Sequence, residues 1–176
     1  MSNWTEPGID DQQGSAEAVK AASELNQMYL HPGNLCASRE PVNLSFIVGS
    51  CVGICIFNPR LSIGGAAHYL LPLQGDEGAP SPRYGDVAIK QLLDGMMQAG
   101  STRKDLRAHI YGGACVVQAF QDSKHASIGD KNVRVALDML SQEKIAVVHQ
   151  ETGGQKGRKI SMRTDTGEII CSLIGS

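Results

Sequence analysis

Residues 45–68 read SFIVGSCVGICIFNPRLSIGGAAH, and the reading of this stretch decides the fold. One apolar, β-branched run ends in Gly49-Ser50-Cys51, and a second ends at Asn58-Pro59. Runs of this composition, punctuated by Gly, Ser, Asn and Pro, predict strands joined by tight turns. Working outward, Val42 to Phe57 is strand with a break at Gly49-Ser50, Ile63 to Leu71 is a further strand, and Leu35 to Arg39 is a short one before them. The stretch also holds two groups able to do chemistry, the Cys51 thiol and the His68 imidazole. Gly49-Ser50 permits an unusual backbone path, so that backbone N–H groups and the thiol can face one point. If the two strands lie side by side, the side chains can meet, and an imidazole near a thiol favours its thiolate. The alternative is two ordinary core positions that happen to be Cys and His.

The remaining chain is mixed. Residues 1–13 are polar and punctuated by Gly and Pro. Ser15 to Tyr29 shows helical spacing through Ala16, Val19, Leu25 and Met28, with Ser15 as a cap and His31-Pro32-Gly33 as the stop. Pro72 to Pro82 is a loop, of a length often used as a lid or binding loop. Arg83 to Ala99 predicts a helix burying Val87, Leu92, Leu93 and Met96, stopped by Gly100. Ala108 to Tyr111 is a strand running into Gly112-Gly113-Ala114, and Asp130 to Glu143 a helix with Val133, Leu137 and Leu140 on one face. Ile145 to His149 is a strand, and Ile160 to Arg163 pairs with Glu168 to Leu173 across Asp165-Thr166-Gly167. Consecutive strands at both ends predict a mixed α+β domain with part of its sheet antiparallel.

Composition excludes several classes. Among 176 residues, 41% are apolar and 19% charged, which is globular rather than disordered. The net charge of −2, without a dense Lys/Arg block, leaves no electrostatic footprint for nucleic acid. Apolar runs are too short to span a bilayer, and the acidic N-terminus lacks the pattern of a signal peptide, so the expectation is a cytoplasmic protein without membrane insertion. The five cysteines, Cys36, Cys51, Cys55, Cys115 and Cys171, are odd in number and scattered, against a disulfide framework. Cys51 and Cys55 lack a second pair at zinc-site spacing and are not Cys-x-x-Cys, so neither a metal nor a redox pair is expected, and Cys55 is read as core. His31 is read as solvated, His109 and His149 as alternating strand positions, and His125 as a loop residue. The pairs Gly64-Gly65, Gly112-Gly113 and Gly153-Gly154 fit no dinucleotide or phosphate-loop spacing, and no cofactor is expected. Gly112-Gly113 reads equally as a turn or as the lining of a cleft.

Taken together, these residues resemble the CheD family of chemotaxis proteins. The resemblance rests on Gly49-Ser50-Cys51-Val52-Gly53-Ile54-Cys55, then Asn58-Pro59, Gly64-Gly65 and His68-Tyr69-Leu70-Leu71-Pro72. It continues through Arg83-Tyr84-Gly85-Asp86-Val87-Ala88, Tyr111-Gly112-Gly113-Ala114, Ile128-Gly129 with Asn132, and Thr152-Gly153-Gly154 with Gly157-Arg158-Lys159. It implies an α/β layered sandwich flanked by helices, similar to the deamidating cytotoxic necrotizing factors. Residues 29–176 would form the domain, with 1–28 a partly helical or mobile extension. It implies a cysteine-dependent protein-glutamine deamidase (an amidohydrolase) that converts chemoreceptor glutamines to glutamates and releases ammonia. The nucleophile carries over to Cys51 and the base to His68. The third member, a threonine in the family, falls on Ser45, whose hydroxyl would hold the imidazole. The substrate implied is a helix of a methyl-accepting chemoreceptor, and a further partner a CheC-type phosphatase. Two other readings remain: an adaptor that works by docking to such a phosphatase, and a thiol hydrolase of other amides.

Overall fold

A computed structural model describes residues 25–76, 78–116 and 126–175. Nine strands form two sheets among these residues. In chain order they are β1 (Asn26–Tyr29), β2 (Leu35–Ser38), β3 (Val42–Val48), β4 (Val52–Asn58), β5 (Ile63–Tyr69), β6 (Arg107–Gly112), β7 (Ala146–Thr152), β8 (Arg158–Arg163) and β9 (Ile169–Leu173). Two α-helices accompany them, α1 (Gly85–Gln98) and α2 (Ile128–Gln142). One sheet has the order β2-β5-β4-β6-β7 and the other β1-β3-β8-β9.

Side-chain alternation along β4 generates the layers. Val52, Ile54 and Ile56 pack with Ala88, Ile89, Leu92, Leu93 and Met96 of α1 and with Ala136 and Leu140 of α2. Cys55, on the opposite face, packs with Leu44, Phe46 and Val48 of β3 and with Ile160 and Met162 of β8. The order is therefore helices, five-stranded sheet, four-stranded sheet. A strand buried on both faces needs apolar residues throughout, which is why β4 reads as a continuous run rather than an alternating one. Every residue of β5 is buried as well, and its glycines make that possible. A Cβ on Gly64 would lie 2.7 Å from the Thr164 backbone, and one on Gly65 2.6 Å from the Cys36 carbonyl.

The helix ends follow the local chemistry. Ser127 and Asp130 form a reciprocal capping box at the start of α2, a device that stabilises a helix by about 1 kcal/mol. Gly100 adopts φ +104° just after α1, as expected of a helix stop. On α1 the buried face is Ala88, Ile89, Leu92, Leu93 and Met96, with Val87 only partly covered.

One segment differs from the sequence expectation. The last four residues of the helix anticipated over Ser15–Tyr29 form strand β1 instead, which runs parallel to β3 with Met28 opposite Leu44 and Tyr29 opposite Ser45. Residues 15–24 lie outside the described residues. Gln27 accepts a 2.7 Å hydrogen bond from the Asn43 side chain, and Leu30 follows the strand into the core. Pairing with β3 has overridden the local helical spacing, and the 28/29 boundary falls inside this strand. No described helix is long and apolar enough to cross a membrane.

Candidate active site

Cys51 sits in the three-residue connection between β3 and β4. All three carbonyls of this connection are held by the scaffold. Gly49 O accepts from Ala114 N (2.8 Å), Cys51 O from Gly113 N (2.9 Å), and Ser50 O from the Asn132 side-chain amide (3.0 Å). A trans peptide points its N–H opposite its C=O, so the N–H groups of Ser50 and Cys51 face away from the scaffold. The Cys51 N–H also draws its own thiol toward the thiolate. Gly112 and Gly113 make the seat: φ is +108° and +65°, and a Cβ on Gly112 would lie 2.2 Å from Cys51 O. The glycine pair is thus the support under the thiol loop.

His68 reaches the same face of the five-stranded sheet. Gly53 is opposite His68 and Val52 opposite Tyr69, which makes Cys51 a diagonal neighbour of His68 one step past the last paired residues. Diagonal pairs have Cα atoms about 7–8 Å apart, within reach of aromatic-sized side chains. The imidazole is 1% exposed and stacks obliquely on Phe46, with ring centroids 5.7 Å apart. Gly53 clears the space for that Phe46 ring, since a Cβ there would meet it at 2.1 Å.

The tautomer of His68 follows from its partner. Nδ1 lies 3.0 Å from the Leu30 carbonyl, which can only accept, so Nδ1 carries the proton. Nε2 is then the basic lone pair. It is buried and has no hydrogen-bond partner among the described residues. Burial pushes the His68 pKa below its ordinary 6.5; the Leu30 carbonyl opposes this, and the charge of His31 adds to it. Burial likewise pushes the Cys51 thiol above 9.0, opposed by its own backbone N–H. At neutral pH the resting pair is therefore a thiol and a neutral imidazole, not a standing ion pair.

Ser45 is placed differently from the expectation that its hydroxyl holds the imidazole. Leu44 and Phe46 face the core, so Ser45 between them faces the opposite side of its sheet. The Leu30 carbonyl occupies the Nδ1 position instead. Ser45 is linked to that carbonyl through the backbone, because Ser45 O accepts from Leu30 N at 2.8 Å.

The other candidates lie elsewhere. Cys55 is fully buried, with its thiol pushed far up by burial. Cys171 donates to Glu151 (3.5 Å), and burial together with that carboxylate pushes its thiol up to about 11. His109, His149, Glu151 and Cys171 line a groove between the edges of the two sheets, on strands remote from β5. Cys36 is a half-buried thiol on β2, raised by burial, and His31 is exposed. His125 lies outside the described residues. No three His, Cys, Asp or Glu side chains among the described residues are grouped to hold a metal ion.

Two functional groups escaped the sequence reading. The Leu30 carbonyl is a main-chain atom, and no residue type advertises it. Asn132 was visible only as part of a motif, without a role.

The family model described as "CheD chemotactic sensory transduction" matches residues 70–173, beginning just past His68. Similarity to whole proteins spans the site as well. The chain is 39% identical over 167 residues to a protein of Anaeromyxobacter dehalogenans named "probable chemoreceptor glutamine deamidase CheD 1", covering 95% of this chain and 96% of that one. It is 34% identical over 151 residues to a Sulfurimonas denitrificans protein named "probable chemoreceptor glutamine deamidase CheD", covering 86% and 96%. A Trichlorobacter lovleyi protein of the same name is 34% identical over 148 residues, covering 84% and 91%. A family match over more than half the chain, joined by near full-length relatives, assigns the chain to the CheD family.

Proposed function

We propose that the protein is a cysteine-dependent deamidase of chemoreceptor glutamines. The observation that carries this reading is the buried, unpartnered Nε2 of His68, its tautomer set by the Leu30 carbonyl, on the same sheet face as Cys51. An orphaned polar atom in a packed site calls for an explanation, and a general base awaiting a proton is one. The printed names of the relatives support the substrate class.

The steps follow from the groups. A glutamine side chain approaches the Cys51 loop. The thiol gives its proton to Nε2 of His68 as Sγ attacks the δ-carbon. The carbonyl oxygen becomes an oxyanion, stabilised by the Ser50 and Cys51 N–H groups that face away from the scaffold. Nε2–H then protonates the amide nitrogen, the C–N bond breaks, and ammonia leaves a thioester on Cys51. Nε2 next takes a proton from water, the hydroxide oxygen bonds to the same carbon, and the C–S bond breaks as Nε2–H returns that proton to Sγ; the new carboxylic acid releases its own proton to solvent. The products are glutamate and the regenerated thiol. Leu30 O holds Nδ1–H throughout and stabilises the imidazolium that forms twice. Ser45 contributes through its main chain, by fixing Leu30.

In this reading the substrate is a glutamine exposed on a cytoplasmic chemoreceptor helix, and the protein works in the cytoplasm. Docking of a CheC-type phosphatase is a separate activity that the same experiment resolves. Cys51→Ala and the wild type are assayed for ammonia release from a chemoreceptor cytoplasmic fragment and, separately, for binding to a CheC-type phosphatase. Loss of ammonia with binding retained is expected of the variant. Ammonia release at the wild-type rate would remove Cys51 from the mechanism, and a wild type that binds without releasing ammonia would favour the adaptor.

A further inference from the structure

We infer that Asn132, on α2, is a positioning residue for the Cys51 loop; the inference rests on the deamidase reading above. Its side chain is fully buried. Its amide donates to two carbonyls, Ser50 O at 3.0 Å and Leu70 O at 2.7 Å. Ser50 precedes the nucleophile, and Leu70 lies two residues after the base. The β4–β5 ladder ends at Val52 opposite Tyr69. Beyond that last pair, Ser50 and Leu70 share no ladder bond, and the single amide of Asn132 spans them. It continues the tie between the two strands where main-chain pairing stops, at the height of Cys51.

The orientation of the amide is determined. Rotating it by half a turn would set Oδ1 against two carbonyl oxygens, so Nδ2 must face them. Oδ1 is then left buried with no partner among the described residues. The side chain is held for its two donors, at the expense of its acceptor. Two contacts anchor the helix in this position. Tyr69 Oη donates to Asn132 O at 2.6 Å, and a Cβ on Gly129 would lie 2.4 Å from Gly113 O.

The consequence reaches the chemistry through one peptide. Ser50 O and the Cys51 N–H belong to the same planar unit, so a donor that fixes the carbonyl also fixes the direction of that N–H. Asn132 touches no reacting atom. It sets where the oxyanion donor points and how far the thiol loop stands from His68.

The test compares Asn132→Asp and Asn132→Ser with Leu140→Ala, a packing change in the buried face of the same helix. Kinetics of ammonia release from a chemoreceptor fragment are paired with the pH dependence of Cys51 alkylation by iodoacetamide. Both Asn132 variants are expected to lose on the order of a hundredfold in kcat, as misplacement by an ångström can do, with KM little changed. Their Cys51 alkylation profile shifts to higher pH, because the N–H that favours the thiolate is no longer held. Leu140→Ala lowers Tm and leaves kcat and the alkylation profile as in wild type, measured well below its melting point. The proposal is overturned if the Asn132 variants lose activity only in proportion to their unfolded fraction, or keep the wild-type alkylation profile. The alkylation arm needs no substrate, so a wild type inactive on the fragment would refute the deamidase reading and leave the positioning result legible.

Discussion

Substituting Gly53 by alanine tests how the base is seated. The new Cβ would lie 2.1 Å from Phe46 Cε2, 2.7 Å from Cζ and 3.1 Å from Cδ2. Carbon atoms at rest are about 3.5–4.0 Å apart, so the ring edge must move by roughly 1.5 Å. Phe46 is fully buried, and His68 stacks against it at 5.7 Å. Overpacking of this kind costs about 1–3 kcal/mol. At this chain length each kcal/mol corresponds to about 2–4 °C of Tm. The displaced ring also presses on the imidazole, so kcat should fall by about tenfold or more. Urea unfolding, with the m-value as a check on two-state behaviour, reads the stability, and ammonia release reads the activity. Adding Phe46→Leu removes the clashing ring edge. The double variant should then be more stable than the sum of the two single losses by about 1 kcal/mol, a coupling expected only of residues in contact. A Gly53→Ala protein within about 0.5 kcal/mol of wild type, or strict additivity with Phe46→Leu, would refute the reasoning.

Other outcomes follow from the same geometry. The kcat/KM profile should show an acid limb below pH 6.5, where His68 takes up a proton, and no loss before pH 9.0, above which the thiol ionises; an acid limb clearly above pH 6.5 contradicts the burial of the base. Stability should fall as pH drops through 6.5, because the unfolded chain then binds a proton that native His68 and His109, both lowered by burial, resist. Urea titrations across that range should show the slope flattened in His68→Gln. Ser45→Ala should keep kcat within about threefold of wild type, since only its backbone carbonyl is used; a loss beyond about a hundredfold would restore the hydroxyl to the mechanism. His68→Gln should abolish turnover while leaving Cys51 alkylatable by iodoacetamide at high pH.

Much of the fold was legible from punctuation. Gly49-Ser50 and Asn58-Pro59 mark the ends of β3 and β4, and the hairpin turn at Asp165-Thr166-Gly167 marks β8 and β9. Strand β1 was not legible, because its pairing is parallel and non-local and nothing within residues 26–29 announces it. The Cys51–His68 relation depends on the turn between Asn58 and Ile63. Those two residues pair, and counting outward sets Cys51 opposite Leu70 and on the face of His68. A shift of one residue in that register would send the two side chains to opposite faces, and composition does not determine it. The same parity places Ser45 away from the core beside Phe46, which a family correspondence of residue types does not convey. The Leu30 carbonyl had no signal at all. Asn132 had one, a polar residue at a position that a helix facing the sheet would bury, four residues before Ala136 and eight before Leu140, which share its buried face.

The central claim is a thioester on Cys51 formed as ammonia leaves. Its most direct measurement is acid-quenched turnover of a glutamine-containing chemoreceptor fragment, followed by intact-mass and peptide mapping of the enzyme. The account predicts an adduct equal to the fragment less one ammonia, located on the peptide that holds Cys51 and released by hydroxylamine. Turnover with no such adduct in any quench, together with glutamate formation by Cys51→Ala, would contradict it.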